Sequence, residues 1–481
     1  MEMKAMPSVD VVFGIFRQLN AIPRPSHHEE RVADFLCQYA EKLNLEYDRD
    51  EHNCVVIRKP ASPGMEQAEP VVLLNHMDMV CVGFQDPLHD VVATYEDDGW
   101  LKARGTSLGA DNGIGLSMAL AVLADDSIQH GPIEVMTTTN EEDGMSGAAN
   151  LSTTFLKGRK VINLDSEDYD TITTGAAGAY LQEHRLPVRW LAAPGGKRRW
   201  YRITIGGLQG GHSGVDINRG RASATMLAWA ILAAIYNEVD LSLASLTVGE
   251  ANASIASTAE MVITVASGEA AEFVKAQEDS FNEWLREEYG DREPTAFCHI
   301  EKVQPMERVV DDASFSALMR ALEQVPQGVV AMSETLVDTV HTSNNVGRVS
   351  LGDEAFVVTT HTRSFSDGDM AALANEIREV FAEQGGTSTS IMEAPAWQEK
   401  QDSDFLRRTS DVFEQVLGWR PRPVAMHFVL EAGYFVQKYP GIEIACIGPR
   451  ILEPHSANER VELSTIGDIW RVLIALLEEL G

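Results

Sequence analysis

Cysteine is scarce in this chain. The five residues Cys37, Cys54, Cys81, Cys298 and Cys446 are scattered along 481 positions, odd in number and without a C-x-x-C pair. That argues against a disulfide framework and for free, mostly buried thiols in a reducing compartment. Basic residues are also few: 39 Lys and Arg stand against 72 Asp and Glu, for a net charge of −33. Such a surface repels phosphate backbones and anionic lipid, which argues against nucleic-acid and membrane partners. It serves solubility and says nothing about substrate. Long hydrophobic runs are missing. The most apolar stretch, residues 222–236, lies between Arg221 and Glu238. It is short of the ~20 residues a bilayer span needs and reads as a buried helix. Residues 1–16 carry Glu2, Lys4 and Asp10 without a long apolar core, so no secretory leader is expected. What is present is an ordinary folded composition, 44% hydrophobic. A chain of this length can bury a large core and is expected to hold two or more domains.

The pattern of the first 180 residues alternates between helix and strand. Residues 26–43 read as a helix with Val32, Phe35, Leu36 and Tyr39 on one face. Residues 71–74 are a short, wholly apolar run, as a strand covered on both faces would be, 133–138 and 161–164 read as further buried strands, and 112–124 is an apolar helix. This predicts an α/β domain on a largely parallel sheet over residues 1–183. Around residue 184 the texture changes. A connector over 187–197 leads into an inserted α+β domain, residues 184–396. Two rounds of strand and helix there suggest halves of similar plan, although no clear sequence repeat is seen. From 397 to 481 the α/β texture returns, with a helix over 405–417, a strand over 442–447 and a closing helix over 464–480. This last segment is expected to complete the first domain.

Five separated segments offer metal-type ligands: Asn75-His76-Met77-Asp78, Gly109-Ala110-Asp111-Asn112-Gly113, Asn140-Glu141-Glu142, Asn163-Leu164-Asp165-Ser166 and Glu453-Pro454-His455-Ser456. Each has an ordinary reading when taken singly. His76 could be a strand-end histidine, Asp111 a helix N-cap, Glu141 and Glu142 a solvated acidic loop, Asp165 a turn former and His455 a surface residue. Taken together, His76, Glu142 and Asp165 all follow buried strands, and in open α/β sheets chemistry sits beyond the carboxyl ends of strands. Two His and three carboxylates fit two divalent metals sharing one carboxylate, which makes a hydrolase the first hypothesis. Asp78, two residues from His76, would orient the imidazole. Glu141 and Glu142, adjacent on extended chain, would point opposite ways, one toward metal and one toward substrate.

These motifs, with Gly207-Leu208-Gln209-Gly210-Gly211-His212-Ser213-Gly214 and Pro454-His455-Ser456, are similar to those of the aminoacyl-histidine dipeptidases. That group is a branch of the co-catalytic di-zinc peptidase superfamily that also holds carnosinases and aminoacylases. The resemblance runs over nearly the whole length. It implies a di-zinc peptidase catalytic domain with an inserted lid. His76, Asp111 and Asp165 would hold one zinc, and Asp111, Glu142 and His455 the other, with Co2+ or Mn2+ as alternatives to Zn2+. Glu141 would be the general base, acting on a water activated by the two metals. His212 would contact the oxyanion, Arg363 in His361-Thr362-Arg363-Ser364 would bind the substrate carboxylate, and Asn345 and Gly433 would line the substrate site. The family pattern also has a cis peptide after the bridging Asp, here Asp111–Asn112. Phe428 and Val429, where small residues follow His427 in the family, depart from the pattern and alter the expected pocket wall.

The function so implied is hydrolysis of dipeptides of the aminoacyl-histidine type, in the cytoplasm, with a homodimer left open. Two alternatives stand beside it: an N-acyl amino acid deacylase with the same ligands, and a non-catalytic binding protein on the same fold.

Overall fold

A computed structural model describes residues 8–398 and 403–481 of the chain. Residues 1–7, part of the N-terminal stretch read above, and residues 399–402, within the expected third segment, lie outside the described residues. The chain forms two compact units. One comprises Met1–Gly175, Glu399–Ala425 and Glu431–Gly481; the other comprises Ala176–Gln398 and Met426–Leu430.

The first unit is built on an eight-stranded sheet. Its order is Glu46–Arg49, Val55–Lys59, Ile133–Thr138, Val71–His76, Lys160–Asn163, Glu443–Cys446, Thr171–Ala176 and Arg422–Met426. Ile133–Thr138, Val71–His76, Lys160–Asn163 and Glu443–Cys446 run parallel to one another, while Val55–Lys59 and Thr171–Ala176 pair antiparallel on either side of them. The expected parallel character therefore belongs to the centre of a mixed sheet. All six residues of Val71–His76 and all six of Ile133–Thr138 are buried, as strands covered on both faces must be. The helices Asp10–Leu19, Glu30–Lys42, Ala110–Ala124, Asp404–Leu417 and Leu463–Leu480 supply that cover. Their contacts make one core through Phe16, Leu36, Leu73, Ile114, Val135, Phe413 and Trp470.

A second, smaller sheet in this unit was not legible in the sequence. Ile451–Leu452, Arg460–Glu462, Trp100–Ala103 and Thr94–Asp97 form four antiparallel strands. Its strands are only two to four residues long. Too short to show period-2 alternation, they nevertheless tie the C-terminal segment to the stretch that leads into Ala110–Ala124.

The second unit carries a nine-stranded sheet. Among the strand pairs along it, all are antiparallel. One half holds the strands Arg198–Gly206, Leu241–Val248, Ala259–Ala266 and Phe297–Lys302 with the helices Ala224–Tyr236 and Glu269–Tyr289. The other holds Gly178–Pro187, Val340–Leu351, Ala355–Ser364 and Thr387–Ala394 with Asp312–Gln324 and Asp367–Glu383. Each half is a βαββαβ motif with its strands in the order fourth, first, third, second. The second strands join edge to edge through Thr247–Ser350 and Val248–Val349. The similar plan expected for the two halves is thus a repeated topology, and the first half lies in the chain between the first strand and first helix of the second.

Two sequence expectations differ here. The strand Gly178–Pro187 crosses residues 183 and 184, where the domain boundary was placed, because it pairs along its whole length with Ala355–Ser364. The connector expected over 187–197 contains a strand, Trp190–Ala192, paired with Arg308–Val310.

Candidate metal centre

Strand register explains why residues far apart in sequence meet. In the parallel centre of the first unit's sheet, His76 lies opposite Thr138, and Leu74 lies opposite Asn163. Glu141 and Glu142 follow Thr138, and Asp165 follows Asn163, so all emerge at the same carboxyl edge beside His76. His455 lies on the loop between Ile451–Leu452 and Arg460–Glu462. Arg460–Glu462 pairs with Trp100–Ala103, just ahead of the segment bearing Asp111. The small sheet thus returns His455 to Asp111.

The resulting geometry is that of two ligand sets sharing one carboxylate. His76 Nε2 lies 3.0 Å from Asp111 Oδ1 and 3.2 Å from Asp165 Oδ1. His455 Nε2 lies 3.1 Å from Asp111 Oδ2 and 2.9 Å from Glu142 Oε2. Each oxygen of Asp111 faces a different histidine. The ligand atoms of His76, Asp111 and Asp165 all lie within 4.8 Å of one another, as do those of Asp111, Glu142 and His455. The donors suit divalent cations: imidazole nitrogens and carboxylate oxygens. Glu142 Oε1 is buried yet accepts no hydrogen bond, as an oxygen reserved for a cation would be.

The electrostatics agree. Burial pushes the Asp165 carboxyl up to about 7, against the opposing charge of His76. Burial works the same way on Asp111, but hydrogen bonds from His455 and His76 hold it far below the usual range. Hydrogen bonds to Asp111 and Glu142 raise His455 to about 11. Burial also raises Glu141 well above an ordinary glutamate, ahead of the lowering charge of His76 and the raising charges of Asp165, Glu431 and Glu142. A buried carboxylate of high proton affinity that belongs to neither ligand set is suited to take a proton.

Local structure around the ligands departs from the sequence reading in two places. Glu141 and Glu142 occupy a turn after Asn140, whose φ is +54°, and not extended chain. Asp78 Oδ1 stands 3.6 Å from His76 Nδ1, beyond hydrogen-bond reach. Asp78 accepts instead from the N–H groups of Glu141 (3.1 Å) and Glu142 (3.2 Å) and from the Ser26 hydroxyl (2.8 Å). It braces the turn bearing the two glutamates and acts on His76 by charge. Of the two glycines flanking Asp111, Gly109 has φ +67°, whereas Gly113 is within the helix, where a Cβ would meet Arg24 and Phe16 at 2.7 and 2.8 Å. The Asp111–Asn112 peptide is cis. Gly433 is buried in the short helix Ala432–Lys438.

In the second unit, His212 Nδ1 accepts from the N–H groups of Gly214 and Val215, both at 3.1 Å. Burial, then the charge of Arg363, lowers its pKa. A neutral ring whose Nδ1 is an acceptor carries its proton on Nε2, ready to donate. Arg363 is 3% exposed. Its Nη2 donates to Ser213 Oγ (3.3 Å) and lies 3.5 Å from His361 Nδ1. Burial lowers its pKa to about 10. Ser213 and His361 beside this guanidinium carry no negative charge, an arrangement that favours an anionic ligand. Asn345, in contrast, has both ends of its amide engaged: Nδ2 with Ser254 O (2.8 Å) and Oδ1 with Gln327 Nε2 (3.0 Å). Phe428 packs edge-on against His212, ring centroids 6.3 Å apart.

The sequence profile of peptidase family M20/M25/M40 matches residues 72–479. The chain belongs to this family. The cytosol non-specific dipeptidase of Escherichia coli (strain K12) is 33% identical over 98% of this chain and 97% of its own length. The crystal structure of an aminoacylhistidine dipeptidase from Vibrio alginolyticus superposes with a TM-score of 0.91 at 33% identity, covering 100% of this chain and 98% of that one. The aminopeptidase PepT of Bacillus cereus shares the fold at 16% identity, with a TM-score of 0.63, 98% of this chain covered and 99% of that one. This M20 peptidase is therefore a hydrolase on the expected fold.

The sequence reading missed several residues that surround the centre. Glu431, fully buried, accepts from Thr138 Oγ1 at 2.7 Å, and burial raises its pKa to about 8. Glu29 Oε1 accepts from Asn140 N–H at 2.9 Å, and Glu459 and Arg24 grip the chain around Asp111. Composition could not single them out, because carboxylates are common throughout this chain.

Proposed function

We propose that this M20 peptidase is a two-metal dipeptidase, acting on dipeptides and, within that class, on aminoacyl-histidine substrates. The observation that carries the reading is Asp111, whose two oxygens each serve a separate His-and-carboxylate set. His76, Asp111 and Asp165 would hold one cation and Asp111, Glu142 and His455 the other, Zn2+ with Co2+ or Mn2+ as alternatives. Bound there, the pair supplies a polarised scissile carbonyl and a water that is nucleophilic near neutral pH. Glu141 takes the proton of that water and passes it to the leaving amine. Asp78 fixes the turn on which Glu141 stands. His212 donates its Nε2–H to the developing oxyanion, an interaction of about 3 kcal/mol when well placed. Arg363 takes the substrate carboxylate with its planar fork, and Asn345 and Gly433 complete the substrate contacts. Residues 184–396 serve as the lid and residues 1–183 and 397–481 as the catalytic domain.

The relatives support dipeptides as the class, one named a non-specific dipeptidase and the other an aminoacylhistidine dipeptidase. The test is a panel of dipeptides, including Xaa-His, assayed beside an N-acetyl amino acid, with and without chelator and with metal restored. Chelator-sensitive hydrolysis of dipeptides is expected. Preference for the N-acetyl amino acid would make the protein a deacylase, and turnover untouched by exhaustive chelation would overturn the metal reading. Scattered free cysteines and the relative's cytosolic name support a cytoplasmic location, and no helix among the described residues is long and apolar enough to cross a membrane. Light scattering on the pure protein tests the homodimer.

A further inference from the structure

The carboxylate of Glu459 is spent entirely on the backbone that carries Asp111. Oε2 accepts from the N–H groups of Leu108 (2.7 Å) and Gly109 (2.9 Å), and Oε1 from those of Ala110 (2.8 Å) and Asp111 (3.3 Å). On the same segment, Arg24 Nη2 donates to Gly109 O at 2.7 Å. Its Nη1 donates to Met77 O (3.2 Å) and Asp78 O (3.1 Å), on the stretch that follows His76. Both side chains are buried, Arg24 at 1% and Glu459 at 3% exposure. Gly109 leaves the room for this, since a Cβ there would stand 2.5 Å from the guanidinium.

We propose that Glu459 and Arg24 are positioning residues of the metal centre, a clamp that sets where the two oxygens of Asp111 stand relative to His76 and His455. The first turn of a helix leaves its N–H groups without intrahelical partners, and any capping group would satisfy them. Two features make this clamp more than a cap. Glu459 comes from the same loop as His455, so one loop fixes both the imidazole and the backbone of the carboxylate it faces. Arg24 ties that same backbone to the segment following His76, on the other side of Asp111. A shift of the 108–111 backbone would therefore move one oxygen of Asp111 away from each histidine together. The proposal rests on the two-metal reading above.

The experiment titrates the metal-stripped wild-type protein, Glu459→Gln and Arg24→Lys with Zn2+ against a competing chelator. It also records the visible spectrum of the Co2+ forms, the Tm of each protein, and KM and kcat for one dipeptide. Glutamine keeps one acceptor oxygen and turns an NH2 toward two N–H groups; lysine cannot span three carbonyls. Partners that orient metal ligands typically contribute 10–100-fold in affinity. Both variants are expected to bind at least one Zn2+ tenfold or more weakly, with an altered Co2+ spectrum, lower kcat and unchanged KM. A lower Tm with both cations bound at wild-type affinity and an unchanged spectrum would reduce the pair to helix capping and overturn the clamp. Wild-type protein that takes up fewer than two cations would instead overturn the two-metal reading. Should Glu459→Gln fail to fold, Arg24→Lys decides by the same readouts.

Discussion

Glu141→Gln separates the proposed base from the proposed ligands. The side chain is 9% exposed and belongs to neither ligand set, so a near-isosteric amide should leave two cations per chain. It should not weaken the fold either: Asp165, Glu431 and Glu142 all act on Glu141 as like charges, and removing one carboxylate from that group relieves repulsion. What the variant loses is the acceptor for the proton of water. A positioned general base contributes about 10²–10⁴-fold. Burial raises Glu141 above an ordinary glutamate, the direction that strengthens it as a proton acceptor. A fall in kcat of that size is about 3–5 kcal/mol of barrier at ~1.36 kcal/mol per decade. KM should stay within about threefold, since the base binds no ground-state group. The assay is steady-state hydrolysis of one dipeptide beside metal analysis of the same preparation. A kcat within tenfold of wild type with both cations present would remove Glu141 as the base. Loss of a cation would make it a ligand.

Three further outcomes are expected. Asp111→Asn keeps one acceptor oxygen and should lower the metal content from two toward one per chain by elemental analysis; two cations at wild-type affinity would show that Asp111 does not bridge. His184 is buried between Ser388 Oγ (2.7 Å) and Thr360 Oγ1 (2.9 Å), stacked on Phe381, and burial ahead of Arg378 lowers its pKa to about 4. Its stabilising contribution is complete above ~6.5, the unfolded value, and is lost as pH falls toward the folded value, about 2 kcal/mol between pH 6.5 and 5. His184→Gln should flatten the pH dependence of the urea midpoint by that amount, and an unchanged slope would refute the assignment. Phe413→Ala, at 0% exposure in the first unit's core, should cost about 3–5 kcal/mol of stability by denaturant unfolding, with the ligand set intact; a loss under 1 kcal/mol would show that the site collapses without a cavity.

Three of the candidate ligands were legible because they follow buried strands: His76 ends Val71–His76, Glu142 follows Ile133–Thr138 and Asp165 follows Lys160–Asn163. In the first of these the apolar run is unbroken through Leu74, so the polar residues after it stand out. What the sequence could not show was register. Nothing in the residues says that His76 pairs with Thr138 or Leu74 with Asn163, and those pairings bring the carboxylates together. Short elements were lost for a related reason: Ile451–Leu452 and Arg460–Glu462 have too few residues to carry a pattern, yet they return His455 to Asp111. Likewise Val340–Leu351 was unread as a strand, because its central residues Thr342 to Asn345 are polar although buried, and alternation fails where both faces are covered.

Two of the ligand segments, 108–111 and 140–142, share a mode of support that accounts for much of what stayed hidden. Both are irregular backbone whose N–H groups are captured by a buried carboxylate from elsewhere in the first unit. Asp78 takes the N–H groups of Glu141 and Glu142, Glu29 takes that of Asn140, and Glu459 takes the run from Leu108 to Asp111. A buried carboxylate is costly unless it is fully hydrogen-bonded, so such a residue stays put only if the loop it holds stays put. The loops and their anchors therefore specify each other, which a rigid two-cation site requires and a flexible loop could not supply. In a chain with 72 acidic residues, these anchors cannot be told from solvated ones by composition or spacing. They differ in burial alone, and burial is a property of the fold.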